Sequence, residues 1–215
     1  MHLKTIVIVG AGPGLGLAIA KRFGKEGYRV ALIARRAESL SSLTTTLTQA
    51  SIESKGYVAD VTDEESLERA FVQIKIDFGS IDILEYSPLT RVLIASSAVD
   101  TNAARLAFNS YYLGAVACVQ RVLPSMRERG LGTILLTLGQ APKHMMWKFG
   151  SAAPMAAALR TYALSLNTEL DSEGIYVACG TVRVQIDAAW AEKIADTYWT
   201  MHVERTSPET VVEHM

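Results

Sequence analysis

Cysteine is scarce. Only Cys118 and Cys179 occur, far apart in the chain, which fits neither a disulfide framework nor metal-ligand spacing. Both read as small core residues in a reducing compartment. Long hydrophobic runs are also missing. Stretches such as 6–9 and 134–138 fall far short of the ~20 apolar residues that cross a bilayer, and no charged-then-apolar leader precedes the first of them, so a cytoplasmic rather than secreted protein is expected. Charge of one sign is absent too: 21 basic against 22 acidic residues leave a formal net charge of −1, no electrostatic basis for nucleic acid or an anionic membrane as partner. There is no Pro/Gly/Ser-rich linker, no internal repeat, no His/Cys/Asp/Glu cluster with metal spacing, and no low-complexity tract beyond Thr44–Thr46. The 215 residues, 49% of them apolar, suffice for one α/β domain spanning 1–215 with an ample core.

What is present begins at Thr5. The apolar run Thr5–Val9 enters Gly10-Ala11-Gly12-Pro13-Gly14-Leu15-Gly16, and the following residues, through Phe23, have helical spacing. A buried strand that delivers a glycine turn to a helix N-terminus makes a phosphate site, because outward-pointing N–H groups and the helix dipole both favour negative charge. In this reading Gly10 permits the tight turn, Gly14 lets backbone approach a pyrophosphate, Leu15 opens the helix and Gly16 packs it on the sheet. The strand-turn-helix context points to a dinucleotide.

Strand-like and helix-like segments then alternate: a strand over 28–33, a helix over 38–49, a short strand near 57–59, and a helix opened by Asp63 as N-cap. A strand over 81–84, a long helix over 103–129, a strand over 132–138, a helix over 152–171 and a strand from Ile175 follow. This order predicts a Rossmann-like, doubly wound parallel sheet with helices on both faces. Six strands are expected, or seven if Thr210–Val212 adds a short edge. Ligands of such sheets bind beyond the carboxyl ends of the strands.

These residues resemble the short-chain dehydrogenase/reductase family along nearly the whole chain. The spacing Gly10-x-x-x-Gly14-x-Gly16 is the family's tighter glycine turn. Ala59-Asp60-Val61-Thr62 is similar to its Asp-Val pair, where the resemblance implies that Asp60 meets the adenine amino group; the alternative is a solvated acid beside a helix. Ser87 and Pro88 stand in the strand-four motif, Tyr86-Ser87-Pro88-Leu89 in place of Asn-Asn-Ala-Gly, and are placed with the cofactor residues. Strand two ends Ile33-Ala34-Arg35-Arg36 without the carboxylate that would hold the ribose hydroxyls of NAD. Two guanidiniums there suit a 2′-phosphate, so NADP(H) is favoured over NAD(H), Arg35 more than Arg36; the alternative is two surface arginines opening a helix.

The reaction half departs from the family. The resemblance implies a tyrosine as proton donor, a lysine four residues later, a serine at the end of strand five and an asparagine on the long helix. Counting from Gly114 puts Tyr111 at the asparagine. Strand five puts Leu138 and Gly139 at the serine pair. Counting back from Gly174 and forward from Gly139 both put Ala152 at the tyrosine, hence Ala156 at the lysine. The Pro-Gly after strand six reads Val182-Arg183. No catalytic residue is therefore assigned. Lys143, His144 and Lys148 are substitutes to weigh against a solvent-exposed basic loop. Ser151 is weighed against a helix N-cap, and Tyr86 and Tyr111 against packed core. Met145, Met146, Trp147 and Met155 make the surroundings apolar, as in a lid or a dimer face. The residues over 190–199 look helical, with Trp190, Ile194 and Tyr198 as an apolar stripe.

Two functions follow: an NADP(H)-dependent oxidoreductase with a nonstandard site acting on a small molecule, or a dinucleotide-binding sensor or partner subunit without turnover. The resemblance also implies a homodimer or tetramer through the helices at 103–129 and 152–171, where Ala115–Cys118 and Ala156–Ala158 supply small residues.

Overall fold

The computed structural model describes residues 3–88, 93–139, 147–182 and 186–213. Its centre is β1 (Thr5–Val9), buried along its whole length as a strand covered on both faces must be. The remaining strands are β2 (Arg29–Ala34), β3 (Ser54–Val58), β4 (Ile83–Tyr86), β5 (Gly132–Gly139), β6 (Ile175–Val182) and β7 (Glu209–Val212). They form one parallel sheet in the order β3-β2-β1-β4-β5-β6-β7. The order reverses between β1 and β4, which opens a crevice at their carboxyl ends.

The helices are α1 (Leu15–Lys25), α2 (Ala37–Gln49), α3 (Glu64–Phe78), α4 (Thr101–Ala107), α5 (Gly114–Arg129), α6 (Ala152–Leu170) and α7 (Ala188–Glu204). One sheet face is packed by α3, α5 and α6, through Phe71, Val122 and Leu159 among others. The opposite face carries α1, α2 and α7, through Ile19, Leu47 and Tyr198. Local signals set the helix ends. Asp63 accepts from the N–H groups of Glu65 and Ser66 at 3.1 and 3.2 Å, and α5 stops at Gly130 with φ +61°, a left-handed position that favours glycine.

The seventh strand exists. β7 pairs in parallel with β6, and Arg160 of α6 grips Glu209 at 2.7 Å through Nε. The apolar stripe of α7 lies where its spacing put it, with Ile194 and Tyr198 fully buried and Trp190 partly so; each such burial stabilises by roughly 1.5–3 kcal/mol. Both cysteines are buried and free.

Two expectations need correction. The helix expected over 103–129 starts at Thr101, because Asp100 caps it by accepting from Ala103 N at 2.7 Å. It is not uniform, since a π-helical stretch, Phe108–Leu113, separates α4 from α5. Of the small residues expected at a subunit face, Ala115, Cys118 and Ala156 are buried within this chain, with Ala115 and Cys118 in the core between α5 and the sheet.

Candidate active site

The crevice is built from β1 and β4. Gly10 has φ +88°, and both Gly10 N and Ala11 N donate to Ile33 O at 3.0 Å, folding the chain over the end of β2. A Cβ at Gly10 would lie 2.6 Å from Pro88 N, so only glycine lets the two strand ends meet. At Gly16 a Cβ would lie 3.0 Å from Ala11 Cα, the close helix-to-turn packing expected of it. Gly14 differs, since a Cβ there would meet nothing within 4 Å. Its backbone faces open space, which is the fit a pyrophosphate requires. No side chain caps α1 at Gly14, and its first turn carries no acid, so no capping side chain stands where a phosphate would meet the N–H groups that open the helix.

Arg35 and Arg36 follow β2 and are exposed, and neither forms an ion pair among the described residues. Asp60 lies just past β3, its Oδ1 accepting from Thr62 N at 2.9 Å and Thr62 Oγ1 at 2.8 Å. Val61 packs against the core beside it. Ser87, nearly buried, ends β4 and donates its N–H to Val9 O at 2.9 Å. All these positions thus gather along the carboxyl edge of β1 to β4.

Two of the positions reached by landmark counting lie close together. Tyr111, in the π-helical stretch, and Ala152, at the start of α6, share a small buried cluster with Ala107, against which Phe149 and Met155 pack. Ala156 is buried one turn further on, and Leu138 is buried at the end of β5, next to Gly139. Tyr86 is core: its phenol donates to Ser110 O, and burial holds its pKa well above the usual phenol value. Ser151 precedes α6 without bonding to it through its side chain, so the capping role read for it is not made. Lys148 stacks over the exposed Trp147 ring at 5.2 Å. Leu89, Lys143, His144, Met145, Met146 and Arg183 lie outside the described residues. Among the described residues no group of three His, Cys, Asp or Glu could hold a metal, and no helix is long and apolar enough to cross a membrane.

Sequence reasoning missed Glu85. It is fully buried inside β4, between Ile8 of β1 and Leu135 of β5. Thr137 Oγ1 donates to its Oε1 at 2.7 Å and Ser87 Oγ to its Oε2 at 3.0 Å, and Thr137 is in turn 2.7 Å from the phenol oxygen of Tyr198. Burial pushes the Glu85 carboxyl up to about 8, against the opposing pull of the two hydroxyls. The signal was available: one carboxylate inside the otherwise apolar Ile83-Leu84-Glu85-Tyr86.

Comparison with known proteins agrees with this geometry. The pattern of the short chain dehydrogenase family matches residues 4–195. Serine 3-dehydrogenase of Agrobacterium fabrum is 32% identical over 185 residues, covering 80% of this chain and 68% of that protein. Oxidoreductase asL5 of Sarocladium schorii is 30% identical over 174 residues, covering 81% and 69%. Among solved structures, L-sorbose reductase from Gluconobacter frateurii complexed with NADPH and L-sorbose superposes with a TM-score of 0.89 at 20% identity, covering 99% of this chain and 97% of that one. With the family pattern matching residues 4–195 and a relative 32% identical over 80% of the chain, the chain belongs to the short-chain dehydrogenase/reductase family.

Proposed function

We propose that the protein binds NADP(H) and passes hydride to an electrophilic small molecule, such as a quinone or an activated alkene, without the family's tyrosine–lysine chemistry. One observation carries this reading: an uncapped glycine cradle, open at Gly14, lies in the same sheet edge as reaction positions filled by Tyr111, Gly139, Ala152 and Ala156. Residues 1–215 act as one dinucleotide-binding unit in this reading. The backbone around Gly10, Gly14, Leu15 and Gly16 would hold the pyrophosphate, Arg35 and Arg36 the 2′-phosphate, Asp60 and Val61 the adenine, and Ser87 and Pro88 the inner ribose side. The cofactor supplies the hydride when bound; the chain binds it, orients it and excludes water with the Tyr111–Ala152 cluster. Losing a general acid typically costs about 10²–10⁴ in rate, which disfavours ketones and spares acceptors that take their proton from solvent.

That same cluster favours a second reading, a dinucleotide sensor or partner subunit without turnover. NADPH consumption against carbonyls, quinones and enones separates the two, with Tyr111→Phe and His144→Ala as controls. Consumption of quinones or enones, unchanged in Tyr111→Phe, supports hydride transfer. Clear binding with no consumption across the panel leaves the sensor.

A homodimer or tetramer belongs to the same proposal. Leu106, Phe108 and Leu113 are exposed, and Phe108, Tyr112 and Tyr162 line a groove with the outer side of α6. A second copy is the occupant that fits it, because these outward residues extend along the helices the family pairs.

A further inference from the structure

Ser87, Glu85, Thr137 and Tyr198 form one unbranched chain of hydrogen bonds, running from the crevice at the end of β4 to α7. All four side chains are buried, the outermost, Ser87, being 7% exposed. The chain is dry and built. A Cβ at Gly180 would overlap the Tyr198 ring, so that glycine on β6 makes the space in which the phenol reaches Thr137. Among the described residues the flanking strands bring no charge to Glu85: β1 presents Ile8 and β5 presents Leu135. The charged residues of α1 (Lys21, Arg22, Lys25) and α7 (Glu192, Lys193, Asp196, Glu204) lie on exposed or half-exposed sides of those helices, His202 of α7 bonds to Tyr28 and Thr133, and Tyr198 is the titratable group bonded to the carboxyl network.

Proton counting gives this chain a direction. With Glu85 neutral, four protons serve three bonds. In one order Tyr198 donates to Thr137, Thr137 to Glu85 Oε1, and the Oε2 hydroxyl to Ser87, whose own proton then points into the crevice. In the reverse order Ser87 donates inward and the spare proton ends at the Tyr198 phenol, whose outlet is Gly180 O at a long 3.5 Å. With Glu85 ionised, three protons serve three bonds, both Ser87 and Thr137 donate to the carboxylate, and Ser87 has nothing left for the crevice.

Resting on the dinucleotide reading above, we propose that Ser87 is a switchable hydrogen-bond donor to the bound dinucleotide, available only while Glu85 carries its proton. Glu85 is thus a positioning residue that acts through Ser87, and binding to an acceptor oxygen of the dinucleotide holds the proton on Glu85.

Titration calorimetry with NADPH from pH 7 to pH 9.5 tests this. The wild type weakens by about tenfold across that range, the worth of one hydrogen bond. At pH 8.5, binding measured in two buffers of different ionisation enthalpy shows net proton uptake. In Glu85→Gln the amide donates permanently to Ser87, so affinity stays at the neutral-pH value and proton uptake vanishes. Ser87→Ala binds weakly at all pH values, while Tyr198→Phe, which leaves the order from Thr137 to Ser87 intact, keeps the pH dependence. Parallel pH profiles in wild type and Glu85→Gln, or weakening retained in Ser87→Ala, overturn the switch while leaving dinucleotide binding standing. No NADPH binding at any pH overturns the dinucleotide reading and the switch with it.

Discussion

Replacing Glu85 by glutamine changes how stability responds to pH, with no ligand involved. The carboxyl is about 8 in the folded protein against an ordinary 4.5. Between those values the folded state holds a proton that the unfolded chain has released, so stability falls as pH rises. It is highest below 4.5 and fully lost above 8. At ~1.36 kcal/mol per pH unit, crossing the whole window corresponds to roughly 5 kcal/mol. His202 acts with opposite sign: burial, and then Arg205 and Lys4, lower it from 6.5 to about 4. Its contribution is present above 6.5 and lost as pH falls towards 4. Cys118 and Cys179, both raised by burial from 9 to about 12, act only in more alkaline solution. Among the described residues the interval from pH 6.5 to pH 8 therefore isolates Glu85, over which the wild type is expected to lose about 2 kcal/mol relative to Glu85→Gln. Urea unfolding at half-unit steps, fitted with a common m-value, measures this. Glu85→Gln should be flat over the same interval. A wild-type curve that is equally flat would mean that Glu85 is ionised in the fold, and the reasoning from its dry surroundings would fail.

Glycine substitutions should separate fold from ligand. Gly10→Ala, with its φ of +88° and the approach to Pro88, loses more than about 1–2 kcal/mol in urea unfolding. Gly14→Ala, with a methyl in open space, costs less than Gly10→Ala yet weakens NADPH at least tenfold by calorimetry. Arg35→Glu should reduce affinity for NADPH by tenfold or more and leave NADH within about twofold; equal losses for both cofactors would remove the 2′-phosphate assignment. Light scattering at micromolar concentration should give a dimer or tetramer, shifted towards monomer by Phe108→Lys. A wild-type monomer would refute the oligomer.

The sheet was legible because each of its signals is local: an apolar run buried on both faces at β1 and Asp63 ahead of α3. β7 stood only as an alternative, since four residues, two of them polar, give too short a pattern. It pairs with β6 and is held to α6 through Glu209 and Arg160, contacts between distant parts of the chain. The unevenness of the helix at 108–113 was hidden because α and π turns share the same residue preferences over so few positions. Counting along strand ends and helix starts named Tyr111 and Ala152 together, and the two share one buried cluster. Glu85 was missed for the opposite reason. One acid in an apolar strand is visible, but its partners Thr137 and Tyr198 come from a strand and a helix much later in the chain.

The loosened turn at Phe108–Leu113 points consecutive side chains to different destinations. Tyr111 closes on Ala152 inside, while Tyr112 stacks on Phe108 outside at 5.5 Å and meets Tyr162 at 5.6 Å. Tyr111 and Tyr112 are joined by one peptide bond, so the inner cluster around Ala152 and the outer aromatic ledge are two faces of one six-residue segment.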